Sequence, residues 1–285
     1  MNGILELYGI SSRKPGVDWA SVIESQNCPY LGRRCQKVRK SEPEITIGTC
    51  SVIYGSEKKP VIICPHRLLE RRQVFLDCLH LLTLHEPGNE LHIVPQVGIP
   101  GGTVDYFLAS ARGGKVRDFV GIELQALDTT GTVWPARQQF LMAKGLEMEV
   151  RAEDRGKRFG INWKMTAKTI LVQLHHKLET FEGINKHLVL VVQDHFLDYV
   201  RRNFQFAHIN SPARLGDPMH IHSYVLEGTD YGDRIALRER LSTDAAGIAR
   251  SLGLQTNPRV GIEEIAALLE RKITGETLFV IGGPA

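Results

Sequence analysis

The sequence of 285 residues predicts an α/β fold in which helices cover a central β-sheet. Residues 103–126 have the pattern of two strands joined by a tight turn, because Gly113 and Gly114 supply the positive φ angles that a short hairpin needs. Residues 186–193 form a nearly continuous apolar run, which is typical of a strand covered on both faces. Residues 162–181 have the apolar periodicity of a long helix that could provide such a cover.

Composition limits the class of protein without deciding its function. Apolar residues make up 42% of the chain and charged residues 24%, which is enough for a sizeable core. A net charge of +3 permits nucleic-acid binding but does not indicate it. No apolar run has the length needed to span a bilayer. The first residues lack the basic and apolar pattern of a signal peptide, so we expect a cytoplasmic protein.

The remaining elements follow from periodicity and punctuation. Strands are predicted at residues 5–8, 44–54 with a break at Gly48, 60–64, 91–97 and 220–228. Helices are predicted at residues 17–25, 65–84, 135–145, 194–203, 243–252 and 261–272. Residues 147–156 are predicted to form a loop, and the C-terminal tail could add an edge strand. His220 and His222 alternate along a strand, but no third ligand has a clear position, so the sequence favours ordinary core or surface histidines.

Four of the five cysteines fall in the first quarter of the chain with the spacing C-x6-C-x14-C-x13-C. They are Cys28, Cys35, Cys50 and Cys64, whereas Cys78 fits the apolar face of the predicted 65–84 helix. Four thiolates suit a tetrahedral site for a soft metal, either zinc or a single iron. The alternative is four separate small apolar side chains. Cys28 and Cys35 weigh against it, since they lie among proline, glycine and basic residues.

A basic cluster lies between these cysteines. It consists of Arg33, Arg34, Lys37, Arg39 and Lys40. Such a cluster could contact phosphates, although a solvated loop would have the same composition.

The predicted hairpin places polar side chains where strands meet. Glu123 and Gln125 point the same way because strand side chains alternate, and Asp105 can lie beside them on the paired strand. Two carboxylates and an amide would suit a divalent metal with open positions for water and phosphate. A solvated hairpin with outward polar residues would show the same pattern, so these residues alone leave both interpretations open.

Longer stretches resemble the NotI family of type II restriction endonucleases. The resemblance covers roughly residues 28–195 and is carried by CPYLGRRCQKVRKSEPEITIGTCSVIYG, IICPHRLLERRQVFLDC, VPQVGIPGGTVDYFLA, FVGIELQALDTTGTVWPAR and FGINWKMTAKTILVQLHHK. It implies a restriction-endonuclease-like PD-(D/E)xK core, a mixed central sheet flanked by helices, with a small metal-binding subdomain. The expected division is a four-cysteine region at 1–66 and a nuclease domain at 67–285.

The resemblance also implies specific residues. It assigns a structural iron to Cys28, Cys35, Cys50 and Cys64, with zinc as the chemical alternative. It assigns the catalytic Mg²⁺ to Asp105 and Glu123, with Gln125 in the position where the wider superfamily has lysine. Glu90 stands at the distance upstream of Asp105 where the family has a further glutamate.

The activity implied is cleavage of double-stranded DNA by a homodimer. The family cuts GC-rich palindromes built around GGCC, and the length of this chain is nearer to the six-base, EagI-like members. The expected setting is the bacterial cytoplasm. Two alternatives remain: a repair-type nuclease of the same fold, and a metal-stabilised DNA-binding protein without nuclease activity.

Overall fold

The computed structural model describes residues 3–148, 156–229 and 232–253. Its N-terminal part contains a small sheet, one helix and two short hairpins. The elements are β1 (Gly3–Leu7), β2 (Ile10–Ser11), α1 (Trp19–Ser25), β3 (Asn27–Cys28), β4 (Arg33–Arg34), β5 (Val38–Arg39), β6 (Glu42–Thr46), β7 (Thr49–Tyr54) and β8 (Lys59–Ile62). The sheet has the strand order β2-β1-β7-β8, while β3 pairs with β4 and β5 with β6.

The rest of the chain supplies the central sheet and its helices. Its elements are α2 (Gln73–Leu76), β9 (Glu90–Ile99), β10 (Gly102–Arg112), β11 (Lys115–Gln125), β12 (Thr129–Thr130), α3 (Trp134–Ala143), β13 (Gly160–Ile161), α4 (Trp163–Gly183), β14 (His187–Gln193), α5 (Asp194–Asn203), β15 (Met219–Thr229), β16 (Gly232–Thr243) and α6 (Ala245–Ser251). The predicted hairpin, the long helix and the apolar strand are confirmed as β10–β11, α4 and β14.

In the part of the chain that the structure describes, the central sheet is mixed and has six strands in the order β16-β15-β14-β11-β10-β9. β11, β14 and β15 run parallel to one another, and the outer pairs are antiparallel. The mixed sheet with its helices fits a restriction-endonuclease-like fold.

Side-chain alternation gives this sheet two buried faces. On β14, Leu188 and Leu190 join one apolar cluster with the helices α4, α5 and α6, and Val189 and Val191 join a second cluster on the opposite face. On β11, Ile122 and Leu124 belong to the second cluster. Their neighbours Gly121, Glu123 and Gln125 therefore point towards the α4 side of the sheet.

The predicted helix at 65–84 is wrong as a single element. The chain forms a 3₁₀-helix at Pro65–Arg72, the one-turn helix α2, and a second 3₁₀ turn at Leu79–Leu81. Arg71 and Arg72 adopt left-handed conformations with φ angles of 52° and 57°, which cannot continue a right-handed helix. The apolar residues of this segment are still buried, and Cys78 lies in the core as predicted.

Both apolar clusters contain side chains from either side of residue 66. Ile4 and Val52 pack in the same cluster as Val104 and Leu174, and Leu5 and Ile62 pack in the other. Among the described residues, no helix is long and apolar enough to cross a membrane. The helix predicted at 261–272, the tail strand and part of the 147–156 loop lie outside the described residues.

Candidate active site

The structure brings Asp105, Glu123 and Gln125 to one open cleft. Tyr106 of β10 pairs with Ile122 of β11, so the same register places Asp105 beside Glu123. All three lie where the β10–β11 pair reaches helix α4. The cleft has a volume of about 550 Å³ and is also lined by Gln96, Gly101, Gly102, Thr103, Leu124, Ile170, Gln173 and Lys177.

Both oxygens of the Asp105 carboxylate have donors. The backbone N–H of Leu124 donates to Oδ2 at 3.0 Å, and Nε2 of Gln96 donates to Oδ1 at 3.1 Å. Gln96 has a φ angle of 53°, an uncommon conformation for a residue within a strand. These bonds fix the orientation of the carboxylate towards the cleft. Sequence analysis did not identify Gln96.

Glu123 is buried and paired with a lysine from the covering helix. Nζ of Lys177 donates to Oε1 of Glu123 at 2.7 Å, and the side chains are only 8% and 6% exposed. Burial raises the pKa of Glu123 to about 7, and the charge of Asp105 adds to this effect, while Lys177 opposes it. The net effect of these groups is to make ionisation of Glu123 less favourable than that of an exposed glutamate. Sequence analysis did not identify Lys177.

Gln125 lies at the edge of the same cleft and is half-buried. Its Nε2 donates to the carbonyl oxygen of the neighbouring Ala126 at 2.5 Å. This bond fixes the amide plane.

The structure does not bring Glu90 to this cleft. Glu90 begins β9, pairs with Ala111, and lies 3.4 Å from the exposed side chain of His92. Asp105 lies level with Gln96, six residues further along β9, which corresponds to about 20 Å of strand. The spacing in sequence matched the family, but the strand register separates the two carboxylates.

The four cysteines of the predicted metal site are all buried, at no more than 9% exposure. The backbone N–H of Cys64 bonds to the carbonyl of Cys50 at 3.2 Å, which joins two of them directly. Burial raises the pKa of Cys28, Cys50 and Cys64, and nearby thiols of the set add to it in each case. Within the described ranges, however, no group of three or more cysteine, histidine or acidic side chains is arranged to hold a metal ion.

The basic cluster is largely engaged within the protein. Arg34 donates to the Glu44 carbonyl, Lys37 donates to the Ile63 carbonyl at 3.2 Å, and Arg39 pairs with Glu42 at 2.8 Å. Arg33 is exposed. The pKa of His66 is lowered by burial and by Arg33, and it is raised by Asp105. Arg33 and the cleft residue Asp105 thus act electrostatically on the same histidine.

The chain matches a model of a known protein family. The family model described as "Restriction endonuclease NotI" matches residues 24–212, more than half of the chain. The chain belongs to the NotI family. It is therefore a type II restriction endonuclease that acts on DNA, and membership of the NotI family suggests a divalent metal cofactor. The matched range contains the four cysteines, the cleft carboxylates and Lys177. A search of curated proteins found no match.

Proposed function

We propose that this NotI-family chain hydrolyses double-stranded DNA at a GC-rich palindrome, with Asp105, Glu123 and Gln125 in the active site and Mg²⁺ as the cofactor. The observation that carries the proposal is the convergence of the two carboxylates and the amide in one open cleft. Asp105 and Glu123 come from neighbouring strands, yet they share a cleft that is open to solvent.

The donor set of this cleft fits a hard divalent cation. Carboxylate oxygens are the ligands that Mg²⁺ prefers, and the ion is commonly held by one or two of them together with waters and substrate phosphate. Burial and the neighbouring Asp105 raise the pKa of Glu123 to about 7, so a bound cation would relieve the cost of ionising it. The same carboxylates would therefore bind the metal and be stabilised by it.

Each residue of the cleft has a distinct role in this proposal. Asp105 and Glu123 would hold the metal, and the Gln96 bond would keep Asp105 in position. The metal, when bound, lowers the pKa of a coordinated water and stabilises charge on the phosphate. The oxygen of water forms a bond to phosphorus, the bond from phosphorus to the leaving sugar oxygen breaks, and that oxygen takes up a proton. Gln125 can hydrogen-bond the water or the phosphate, but it carries no charge.

Recognition of a palindrome requires two equivalent reading surfaces, which a homodimer provides. We propose a homodimer that reads a site of the GGCC-centred kind, with the length typical of the six-base, EagI-like members. Arginine is the usual reader of guanine in the major groove. Arg33 is exposed and acts electrostatically on His66 together with Asp105, so it is the first arginine to examine in a complex with DNA.

We also propose that residues 1–66 form a metal-binding region in which Cys28, Cys35, Cys50 and Cys64 hold one structural iron, with residues 67–285 as the nuclease domain. Burial of all four thiols and the electrostatic interactions among them support this site. Four thiolates leave no open coordination position, so this metal would stabilise the fold and take no part in cleavage.

The test of the catalytic proposal uses single carboxylate variants. Asp105→Ala and Glu123→Ala are each expected to lower the rate of DNA cleavage in Mg²⁺ by at least about a thousandfold, since each removes a metal ligand. Specific DNA binding, measured in Ca²⁺ by gel shift, should persist. Glu90→Ala is the matched control, because Glu90 lies outside the cleft, and it should cut at the wild-type rate. Substantial cutting by Asp105→Ala or Glu123→Ala would contradict the assignment.

Sequencing the ends of cut DNA separates the alternatives. A restriction enzyme gives one homogeneous cut at a fixed sequence, whereas a repair-type nuclease gives cuts that depend on lesions or DNA structure. A DNA-binding protein without nuclease activity would give no cut in Mg²⁺.

A further inference from the structure

The Glu123-x-Gln125 motif on β11 contains no cation, because Gln125 is neutral. In the structure, helix α4 brings a cation to the same cleft. Lys177 is the charged residue of α4 whose amine reaches the cleft, 2.7 Å from Glu123. Three independent features of the fold determine the position of Lys177 beside Glu123 or indicate that it has a function.

The first feature is a match between the spacings of the strand and the helix. Gly121, Glu123 and Gln125 occupy one face of β11 at intervals of about 6.7 Å. On α4, residues four apart lie on one face at intervals of about 6 Å. These helix residues are Phe181, Lys177 and Gln173. Phe181 lies over Gly121, where an added Cβ would be 2.4 Å from its ring. One turn earlier, Lys177 meets Glu123, and Gln173 lines the cleft together with Gln125.

The second feature is the turn between β9 and β10. Gly101 and Gly102 have φ angles of 93° and 135°. A Cβ on Gly101 would lie 2.4 Å from the carbonyl oxygen of His176, and a Cβ on Gly102 would lie 3.2 Å from Cε of Lys177. Two successive glycines thus let the turn lie directly against the helix and the stem of this lysine.

The third feature is energetic. Removing two charges from water costs several kcal/mol for each ion, and replacing a buried ion pair with well-packed apolar residues is often neutral or stabilising. The Lys177–Glu123 pair is nearly fully buried on the wall of a cleft. Fold stability alone therefore does not explain why the chain carries a lysine at this position.

We propose that Lys177 is the catalytic cation of this enzyme and replaces the lysine that the strand motif lacks. In the free protein its ammonium group neutralises Glu123. Once the carboxylates bind the metal, the ammonium group donates a hydrogen bond to a non-bridging oxygen of the scissile phosphate and stabilises the charge that develops there. This inference rests on the proposed function of the cleft.

The experiment moves the lysine from the helix to the motif. Lys177→Met keeps the unbranched apolar stem of the side chain and removes its charged end, and it is expected to lower the single-turnover cleavage rate at saturating enzyme by about 10²–10³-fold. DNA binding in Ca²⁺ should stay within about threefold of wild type, because the lost interaction forms in the transition state. In the double variant Lys177→Met with Gln125→Lys, at least about tenfold of the rate should return, since a structural defect in α4 would not be repaired by a lysine on β11.

Lys186→Met is the matched control. Lys186 also pairs with a carboxylate of β11, because its Nζ lies 2.6 Å from Oδ1 of Asp118. Neither Lys186 nor Asp118 lines the cleft. It should cut at the wild-type rate. Lys177→Gln serves in place of Lys177→Met if thermal melting shows the latter to be unfolded, because its amide can still bond Glu123.

The outcomes distinguish this inference from the proposed function. If wild type cuts and Asp105→Ala does not, but the folded Lys177 variant cuts at the wild-type rate, the inference is wrong and the proposed function stands. If Lys177→Met loses activity and the double variant with Gln125→Lys recovers none of the cleavage rate, a lysine at position 125 does not replace Lys177, and the inference is also wrong. If wild type makes no cut in Mg²⁺, the proposed function itself fails.

Discussion

At the scale of single residues, the proposed iron site consists of four buried cysteines in the N-terminal segment. Cys28 lies in β3 of the first small hairpin and Cys50 in β7. Cys35 lies in the chain between these two strands, and Cys64 follows β8 directly before the 3₁₀ segment at Pro65–Arg72. Burial disfavours the thiolate in each of Cys28, Cys50 and Cys64, as their raised pKa values show. A metal reverses this preference because it binds the deprotonated sulfur.

Single cysteine variants test the ligand set. Replacing Cys28, Cys35, Cys50 or Cys64 by Ser is expected to abolish tightly bound iron and to lower the free energy of unfolding by several kcal/mol, since metal binding is linked to folding. Elemental analysis measures the metal, which is expected at one atom per chain. Visible absorption separates oxidised iron from colourless zinc.

Cys78→Ser is the control for these variants. Cys78 is fully buried in the second apolar cluster, with Sγ 3.8 Å from Nδ1 of His222. The substitution should keep the metal and cost about 1–2 kcal/mol of stability from burying a hydroxyl. Iron retained in Cys64→Ser but lost in Cys78→Ser would show that the fourth ligand was chosen wrongly.

At the scale of elements, the close packing of helix α4 against strand β11, here called the seam, determines where the cleft side chains meet. Gly121 is the close-contact position, since a Cβ there would lie 2.4 Å from Cζ of Phe181 and 3.1 Å from Cδ1 of Leu188. Phe181 is 1% exposed, so it has little space into which it can move. Helix α4 can approach the strand closely enough for Lys177 to reach Glu123 because residue 121 has no side chain.

Gly121→Ala is therefore expected to lower the free energy of unfolding by about 1–3 kcal/mol through overpacking, as measured by urea denaturation. A second substitution, Phe181→Leu, should recover part of this loss in the double variant, because it removes the atom that clashes. Gly98→Ala is the matched strand control, since nothing lies within 4 Å of its added Cβ. If Gly121→Ala were as stable as Gly98→Ala, the seam would not be close-packed.

Some of these elements could be predicted from the sequence and others could not. The β10–β11 hairpin and β14 were predictable, because paired glycines and a continuous apolar run are local signals. The break in the 65–84 segment was not, since apolar spacing marks burial and does not reveal the left-handed φ angles at Arg71 and Arg72.

The site shows the same division. The convergence of Asp105, Glu123 and Gln125 was predictable from strand alternation and pairing, but the approach of Lys177 depends on the position of a helix on the sheet. One signal was present in the sequence: Lys177 lies between the buried Leu174 and Leu178, where a solvated lysine has no place. Glu90 shows the opposite error, because a distance counted along the chain did not account for the strand register.

At the scale of the whole molecule, buried charge connects the N-terminal segment to the far edge of the central sheet. The Arg67 side chain is 1% exposed and donates to Glu6 at 2.7 Å, to Glu70 at 2.9 Å and to the carbonyl of Asp233 at 2.7 Å. These partners lie in β1, in the 3₁₀ segment and in β16. One guanidinium group therefore joins three parts of the chain, and the proposed metal region is attached to the proposed nuclease core by more than its linker.

Two buried histidines, His220 and His222, make the stability of the folded protein depend on pH. Burial lowers the pKa of His220 to about 4 and that of His222 to about 3. The other titratable or charged groups around them are His80, His187, Arg240, Asp77, Asp217 and Cys78. Nδ1 of His220 and Nε2 of His222 are buried without a hydrogen-bond partner. Both rings are therefore held neutral in the folded protein at neutral pH.

The sign of the pH effect follows from proton counting. In the unfolded chain a histidine takes up its proton near pH 6.5, whereas these two remain neutral in the fold until about pH 4 and pH 3. Between these values the unfolded state binds more protons at these two histidines, so their contribution to stability is greatest above about pH 6.5 and falls as the pH is lowered. Each histidine contributes a slope of up to about 1.4 kcal/mol per pH unit in this window.

His222→Gln should therefore reduce the slope of the unfolding free energy against pH by about 1.4 kcal/mol per unit between about pH 6 and pH 4.5, as measured by urea denaturation at a series of pH values. The variant loses some stability at neutral pH, but the change in slope is a separate readout that simple packing loss does not produce. His176→Gln is the matched control for the loss of a histidine, because His176 is exposed on α4. An unchanged slope in His222→Gln would mean that the ring at position 222 takes up its proton in the folded state as readily as in the unfolded chain.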